Sequence, residues 1–172
     1  MKTFIVLLRG INVSGKNKLP MAELRNLLNI LDFKNVQTYI QSGNIILDSE
    51  DSKSIVCQKI KEGILNQFGY DVPVIARTIS EWKIAIDNYP FSLENEKIVA
   101  FTFLDRSPKI SEIEIKNIRG DQFKIANEVV YLYCPIGFGK TKITNNVLEK
   151  KLNVIATTRN FKTTEKLLEL AK

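Results

Sequence analysis

Histidine is absent from this sequence of 172 residues, and its absence removes many familiar catalytic arrangements. Without an imidazole there is no usual general base, no Ser/His or Cys/His nucleophile pair, and none of the commonest metal ligand. The two cysteines, Cys57 and Cys134, lie far apart and form no CxxC pair. The sequence therefore predicts neither a zinc site nor a disulfide framework, and it favours a reducing, cytoplasmic location.

Long apolar runs are also lacking. The run at residues 4–8 stops at Arg9 and is shorter than the apolar core of a signal peptide. No stretch is long enough to span a bilayer, so we expect no membrane partner. Hydrophobic residues make up 44% and charged residues 26%, a balance that excludes disordered and collagen-like proteins and is typical of a soluble globular chain.

Positive charge is in excess, with a formal net charge of +6 and an isoelectric point near 9.3. Residues 1–22 contain basic side chains and no acid, and residues 134–172 contain 8 basic against 3 acidic ones. Such patches attract phosphate groups or nucleic acid. The alternative is that these lysines only keep the protein soluble.

The hydrophobic periodicity predicts a βαββαβ order in the first part of the chain. A helix opens at Pro20, and a second begins near Ser52 and ends at Gly69. The strands are expected at residues 3–9, 35–40, 44–48 and 72–77.

The same order recurs after a connecting helix at residues 80–88. Strands are expected at residues 98–104, 122–126, 129–134 and 154–158, and helices at 109–117, 144–152 and 161–171. The sequence thus predicts an α+β fold with two ferredoxin-like units, residues 1–78 and 97–172, joined by residues 79–96. Strands that are apolar on both faces suggest that the two sheets stack face to face. A single mixed α/β sheet is the alternative.

Residues 10–17 match all but the last position of a P-loop, and they follow a strand as that motif must. Asn17 lacks the hydroxyl that should hold magnesium, and Pro20 delays the helix start. A basic loop is therefore favoured over a nucleotide hydrolase.

Two clusters of candidate ligand-binding residues follow from the strand order. The loop after the first strand and the turn between the second and third share one sheet edge, as do the loop after the seventh strand and the end of the eighth. The first cluster contains Arg9, Asn12, Lys16, Lys18, Ser42, Gly43 and Asn44. The second contains Gly137, Gly139, Lys140, Lys142, Thr144, Arg159 and Asn160.

Cations, amide donors and glycine backbone suit these clusters to gripping an anion. We expect a phosphorylated small molecule or nucleic acid as the partner; no cofactor, metal ligand or catalytic residue is identified. One alternative is cation-assisted phosphoryl or nucleotidyl transfer, which needs a carboxylate such as Asp105 or Glu128 near the basic loops. Another is purely structural, with Arg9, Asn44 and Asn160 fastening the two domains together through buried hydrogen bonds.

Several motifs resemble a bacterial domain-of-unknown-function family, numbered sixteen ninety-seven. They are residues 8–13, 15–18, 20–24, 39–44, 131–135, 137–142 and 157–163, which cover nearly the whole chain in order. The resemblance implies a pair of ferredoxin-like domains. It implies no substrate, and no catalytic residue can be carried over.

Overall fold

The computed structural model describes residues 1–172. The first seven elements are β1 (Lys2–Leu8), α1 (Met21–Ile30), β2 (Lys34–Tyr39), β3 (Asn44–Ser49), α2 (Lys53–Phe68), β4 (Val74–Thr78) and α3 (Ile79–Asp87). Helix α2 is bounded as predicted, because the Ser52 hydroxyl accepts a hydrogen bond from the N–H of Ile55 and Gly69 adopts the left-handed conformation that ends a helix.

The first four strands form one antiparallel sheet in the order β2-β3-β1-β4. Phe4, Val6 and Leu8 point to the face that α1 and α2 cover, where they join the leucines of α1 in one hydrophobic core. Ile5 and Leu7 on the other face are equally buried. Strand β1 is therefore apolar on both sides, as its sequence predicted.

The second sheet is formed by β5 (Val99–Leu104), β6 (Gln122–Ala126), β7 (Val129–Tyr133) and β8 (Ala156–Asn160). A 3-10 turn at Glu96–Ile98 precedes it, and the helices are α4 (Asn145–Leu152) and α5 (Phe161–Leu170). Its strand order, β6-β7-β5-β8, repeats that of the first sheet. The α+β fold with two ferredoxin-like sheets is thus confirmed, and the single mixed sheet is wrong.

One predicted helix, at residues 109–117, does not form. The chain between β5 and β6 is irregular, and Ile113, Ile115 and Ile118 nevertheless pack against the core of the second sheet. Alternating Ile113 and Ile115 and the β-branched composition disfavour a helix. Positive φ angles at Asn117, Arg119 and Gly120 then turn the chain into β6.

Contacts divide the chain into two compact units, one made of Met1–Ile84 with Leu167–Lys172 and the other of Ala85–Lys166. None of the helices combines the length and apolar character that crossing a membrane requires.

The last strand of each sheet carries an arginine in the same environment. Arg77 of β4 is paired with Ile5 of β1, and Arg159 of β8 with Phe101 of β5. Both are buried, at 4% and 8% exposed, and each donates to the backbone oxygen of the residue before it, at 2.8 and 2.9 Å. In each case the next residue accepts a backbone N–H bond from the first turn of the following helix. The units therefore share a strand–arginine–cap–helix motif that their sequences barely reveal.

Candidate functional site

The first candidate cluster is brought together at one edge of the first sheet. The N–H of Leu8 donates to the backbone oxygen of Gly43 at 2.8 Å, and the Asn12 amide donates to the oxygen of Gln41 at 2.8 Å. The loop after β1 therefore lies against the β2–β3 turn.

Asparagine side chains in this cluster are engaged in holding the loop. Asn12 also exchanges two hydrogen bonds with the backbone of Leu19, and Asn17 donates to the oxygen of Gly10 at 3.0 Å. Asn44 is fully buried and donates to the Tyr39 oxygen and the Ser42 hydroxyl. These amides therefore stabilise the turn geometry from within the first unit.

The charged members of the first cluster differ in exposure. Arg9 is half-buried, and its N–H bonds to the oxygen of Pro73 at 3.0 Å. Lys16 and Lys18 are exposed and form no ion pair. Only these two lysines present an unengaged charge at this edge.

The second candidate cluster centres on the connection between β7 and α4. We call residues 135–142 the glycine loop. The backbone N–H groups of Phe138, Gly139 and Lys142 donate no hydrogen bond to another protein group. Lys140 and Lys142 are exposed and form no ion pair. The loop therefore offers backbone donors and two cations that the fold itself does not use.

Gly139 has no structural reason to be glycine. Its φ lies outside the left-handed region, and a Cβ added there would have nothing within 4 Å. Gly137, by contrast, needs its positive φ of 88°. A missing side chain at Gly139 leaves the backbone open to close approach from outside.

Helix α4 begins where the glycine loop ends. The Thr144 hydroxyl caps it by accepting from the N–H of Val147 at 3.3 Å. Asn145 accepts a 2.7 Å hydrogen bond from the Thr158 hydroxyl, which fixes the start of α4 against β8. Thr144 is thus a helix cap whose side chain already has a partner.

Arg159 and Asn160 reach the same sheet edge, because β7 and β8 both run antiparallel to β5. Arg159, however, lies on the face of the sheet opposite to Thr158 and α4. It is paired with Phe101 and donates to the Thr157 hydroxyl at 2.7 Å. Asn160 accepts from the N–H of Thr163. The structure therefore does not direct Arg159 toward the glycine loop, although the sequence suggested that they would meet.

Asp121, which the sequence did not single out, lies next to the glycine loop. Gln122 pairs with Tyr133, so Asp121 continues the register to a position across from Cys134. Its side chain is 3% exposed, and neither carboxylate oxygen receives a hydrogen bond from the protein. Only the tertiary structure reveals the burial of this carboxylate, because in a sequence an aspartate that follows a glycine indicates an exposed turn.

The Cys134 thiol is fully buried beneath this loop and donates to the Thr141 hydroxyl at 3.7 Å. The pKa of Cys134 is raised to about 11, chiefly by burial; the hydrogen bond to Thr141 lowers the pKa and the nearby charge of Asp121 raises it. Cys134 is thus a buried cysteine at the end of a strand, and its elevated pKa argues against a nucleophilic thiolate.

We expect native Cys134 to resist alkylation at pH 8. Because the proton leaves only near pH 11, the thiolate fraction at pH 8 is on the order of one in a thousand. Iodoacetamide labelling of a Cys57→Ser variant, followed by mass spectrometry, should accelerate about tenfold per pH unit and level off near pH 11. The urea-unfolded variant supplies the reference rate, and equal native and unfolded rates at pH 8 would contradict the expectation.

The carboxylates considered for phosphoryl transfer lie elsewhere. The Asp105 carboxylate follows β5 and accepts from the N–H of Ile155, and the backbone oxygen of Glu128 accepts from the N–H of Leu104. Both are at the end of β5 opposite to the glycine loop. No group of three metal-ligating side chains forms in the protein. The transfer hypothesis therefore loses the two acids on which it depended.

Comparison with known proteins gives a fold and a family without an activity. The conserved bacterial protein SP0830 from Streptococcus pneumoniae has a similar structure, with a TM-score of 0.75, 24% sequence identity and 99% of each chain covered. No functionally curated protein matches. Residues 1–131 match the family described as Protein of unknown function (DUF1697). The resemblance seen in the sequence is thereby confirmed, and the chain belongs to this family.

Proposed function

We propose that the protein binds a phosphate-bearing ligand at the glycine loop of its second unit. The observation that carries this proposal is the set of unused backbone N–H groups at Phe138, Gly139 and Lys142, flanked by two lysines without ion pairs. Backbone donors at a loop that enters a helix, together with lysine, form a common phosphate-binding arrangement.

The surroundings of the loop add positive charge. A cavity of about 370 Å³ beside Lys142 is also lined by Lys116 and Lys151, with Glu114 as its single acid. Lysines clustered around a concave surface raise the local concentration of anions. The cavity therefore supports an anionic ligand extending from the loop along α4.

The length of the loop supports the same proposal. The equivalent connection in the first unit, between β3 and α2, is residues 50–52, whereas residues 134–144 connect β7 to α4. Helix–strand connections in such units are usually about 2–6 residues long. The longer connection is not needed to join the elements, and it consists largely of glycine, lysine and threonine.

Replacing Lys140 with alanine tests the proposal. With pyrophosphate as the probe in isothermal titration calorimetry, we expect affinity to fall about tenfold, because one charge-assisted phosphate contact is worth roughly 1.5 kcal/mol. Lys109→Ala is the matched control, since Lys109 is an exposed loop lysine of the same unit at the other end of β5. Both variants should unfold within a few degrees of the wild type.

Two results would overturn the phosphate proposal. One is equal pyrophosphate affinity in the Lys140→Ala, Lys109→Ala and wild-type proteins. The other is no pyrophosphate binding by the wild type together with tight binding of a short oligonucleotide. In that case affinity should fall steeply with salt as phosphate contacts release counterions, and the partner would be nucleic acid.

A further inference from the structure

Asp121 is the one side chain whose buried oxygens are left without any hydrogen bond in the protein. Its burial is nearly complete at 3% exposure. A carboxylate inside a protein is normally paired or hydrogen-bonded, because removal of its charge from water is costly. An orphaned carboxylate is therefore a position that a cation or donor from outside the chain can complete.

The position of Asp121 narrows what that group can be. It lies across from Cys134, whose thiol contacts Thr141 of the glycine loop. Asp121 is therefore buried beside the strand end from which the glycine loop begins, and that loop offers unused N–H groups and lysines to an anion. A buried negative charge next to a proposed phosphate position would repel the phosphate unless a cation lies between them.

We propose that Asp121 holds a small, hard divalent cation, Mg²⁺ or Mn²⁺, beneath the glycine loop. Such ions prefer oxygen ligands and are commonly held by one or two carboxylates, with phosphate oxygens and waters filling the other positions. Asp121 supplies the carboxylate, and the Thr141 hydroxyl, which the Cys134 thiol contacts, is the candidate second oxygen. The phosphate part of this coordination rests on the proposed function, whereas the carboxylate part does not.

The glycine loop supplies the route of entry. The Asp121 oxygens are enclosed, and we infer that the ion reaches them when the adjoining glycine loop shifts. Gly137 is in the left-handed region and Gly139 is unconstrained by neighbours, which gives the loop backbone freedom on both sides of Phe138. Loop movement therefore accompanies cation binding.

Mn²⁺ alone is the probe for the test, with free Mn²⁺ measured by electron paramagnetic resonance. We expect one bound Mn²⁺ in the wild type, and at least tenfold weaker binding after Asp121→Asn. The matched control is Asp71→Asn, because Asp71 is exposed and pairs only with Lys61 at the surface. Equal Mn²⁺ binding by the Asp121→Asn, Asp71→Asn and wild-type proteins would overturn the proposal.

Thermal unfolding separates a ligand-binding role from a structural one. Because Asn keeps the shape and removes an uncompensated charge, metal-free Asp121→Asn should be at least as stable as the wild type, and Mn²⁺ should no longer raise its Tm. Loss of stability in both Asp121→Asn and Asp121→Ala without metal would indicate a structural carboxylate and overturn the proposal. The Lys140→Ala variant should keep its Mn²⁺ affinity, so a failure of the phosphate proposal can be distinguished from a failure of the cation proposal.

Discussion

Gly43→Ala is expected to destabilise the first unit by about 2–4 kcal/mol, through steric overlap added to an unfavourable backbone conformation. A Cβ at this position would lie 2.7 Å from the Leu8 Cβ and 2.9 Å from the Ile11 Cδ1, and the φ of Gly43 is +77°. The Leu8 Cβ cannot rotate away, because it is fixed to a strand whose N–H bonds to Gly43 itself. Relief therefore requires β1 and the β2–β3 turn to separate.

Gly10→Ala is the control that isolates the steric part. Gly10 has the same φ of +77°, yet nothing lies within 4 Å of its added Cβ. Its replacement should cost only about 1 kcal/mol, the penalty of the left-handed conformation alone. Urea unfolding followed through Trp82, the single tryptophan and a buried residue of the first unit, measures both variants. Equal losses would show that the close approach is not energetically important.

Phe101→Ala is expected to cost about 3–5 kcal/mol, the usual penalty for deleting a buried aromatic ring. Phe101 is completely buried in β5, and its ring centroid lies 5.4 Å from that of Tyr89 and 5.8 Å from that of Tyr131. Phe103 and Phe161 lie within 6.5 Å. Rings held on a strand and its neighbours cannot collapse fully into the space, so a cavity remains.

Phe101→Leu provides the comparison, because it retains most of the apolar volume and should lose about 1–1.5 kcal/mol. Urea unfolding monitored by far-ultraviolet circular dichroism reports both changes. A loss below 1 kcal/mol for Phe101→Ala would mean that the aromatic cluster repacks, contrary to its geometry.

Local signals predicted most of the fold correctly. Ser52 and Gly69 marked the ends of α2, and Pro20 marked the start of α1, because capping signals act within a few residues. The failed helix at residues 109–117 shows the limit of this approach. Its isoleucines reach the core without helical backbone, and tertiary packing decided the conformation.

The predicted strand order showed which loops of the candidate site lie close together. It did not show to which face of the sheet their side chains point. Strand order was sufficient to place the loop after β1 against Gly43 and the glycine loop at the edge where β8 ends. The strand was expected to end at residue 158, whereas β8 continues to Asn160, so Arg159 is a strand residue whose side chain is committed to one face of the sheet. The burial of Asp121 depends on contacts from distant segments, which no local pattern records.

The shared arginine motif and the unequal connections separate what the two units have in common from what differs between them. The two halves repeat one strand order and place Arg77 and Arg159 at matching positions in their last strands. The first unit joins its third strand to the next helix through the short acidic residues 50–52, whereas the second unit has the glycine loop in the equivalent connection. The same framework therefore accepts connections of very different length, and the proposed ligand site lies in the connection that differs between the units.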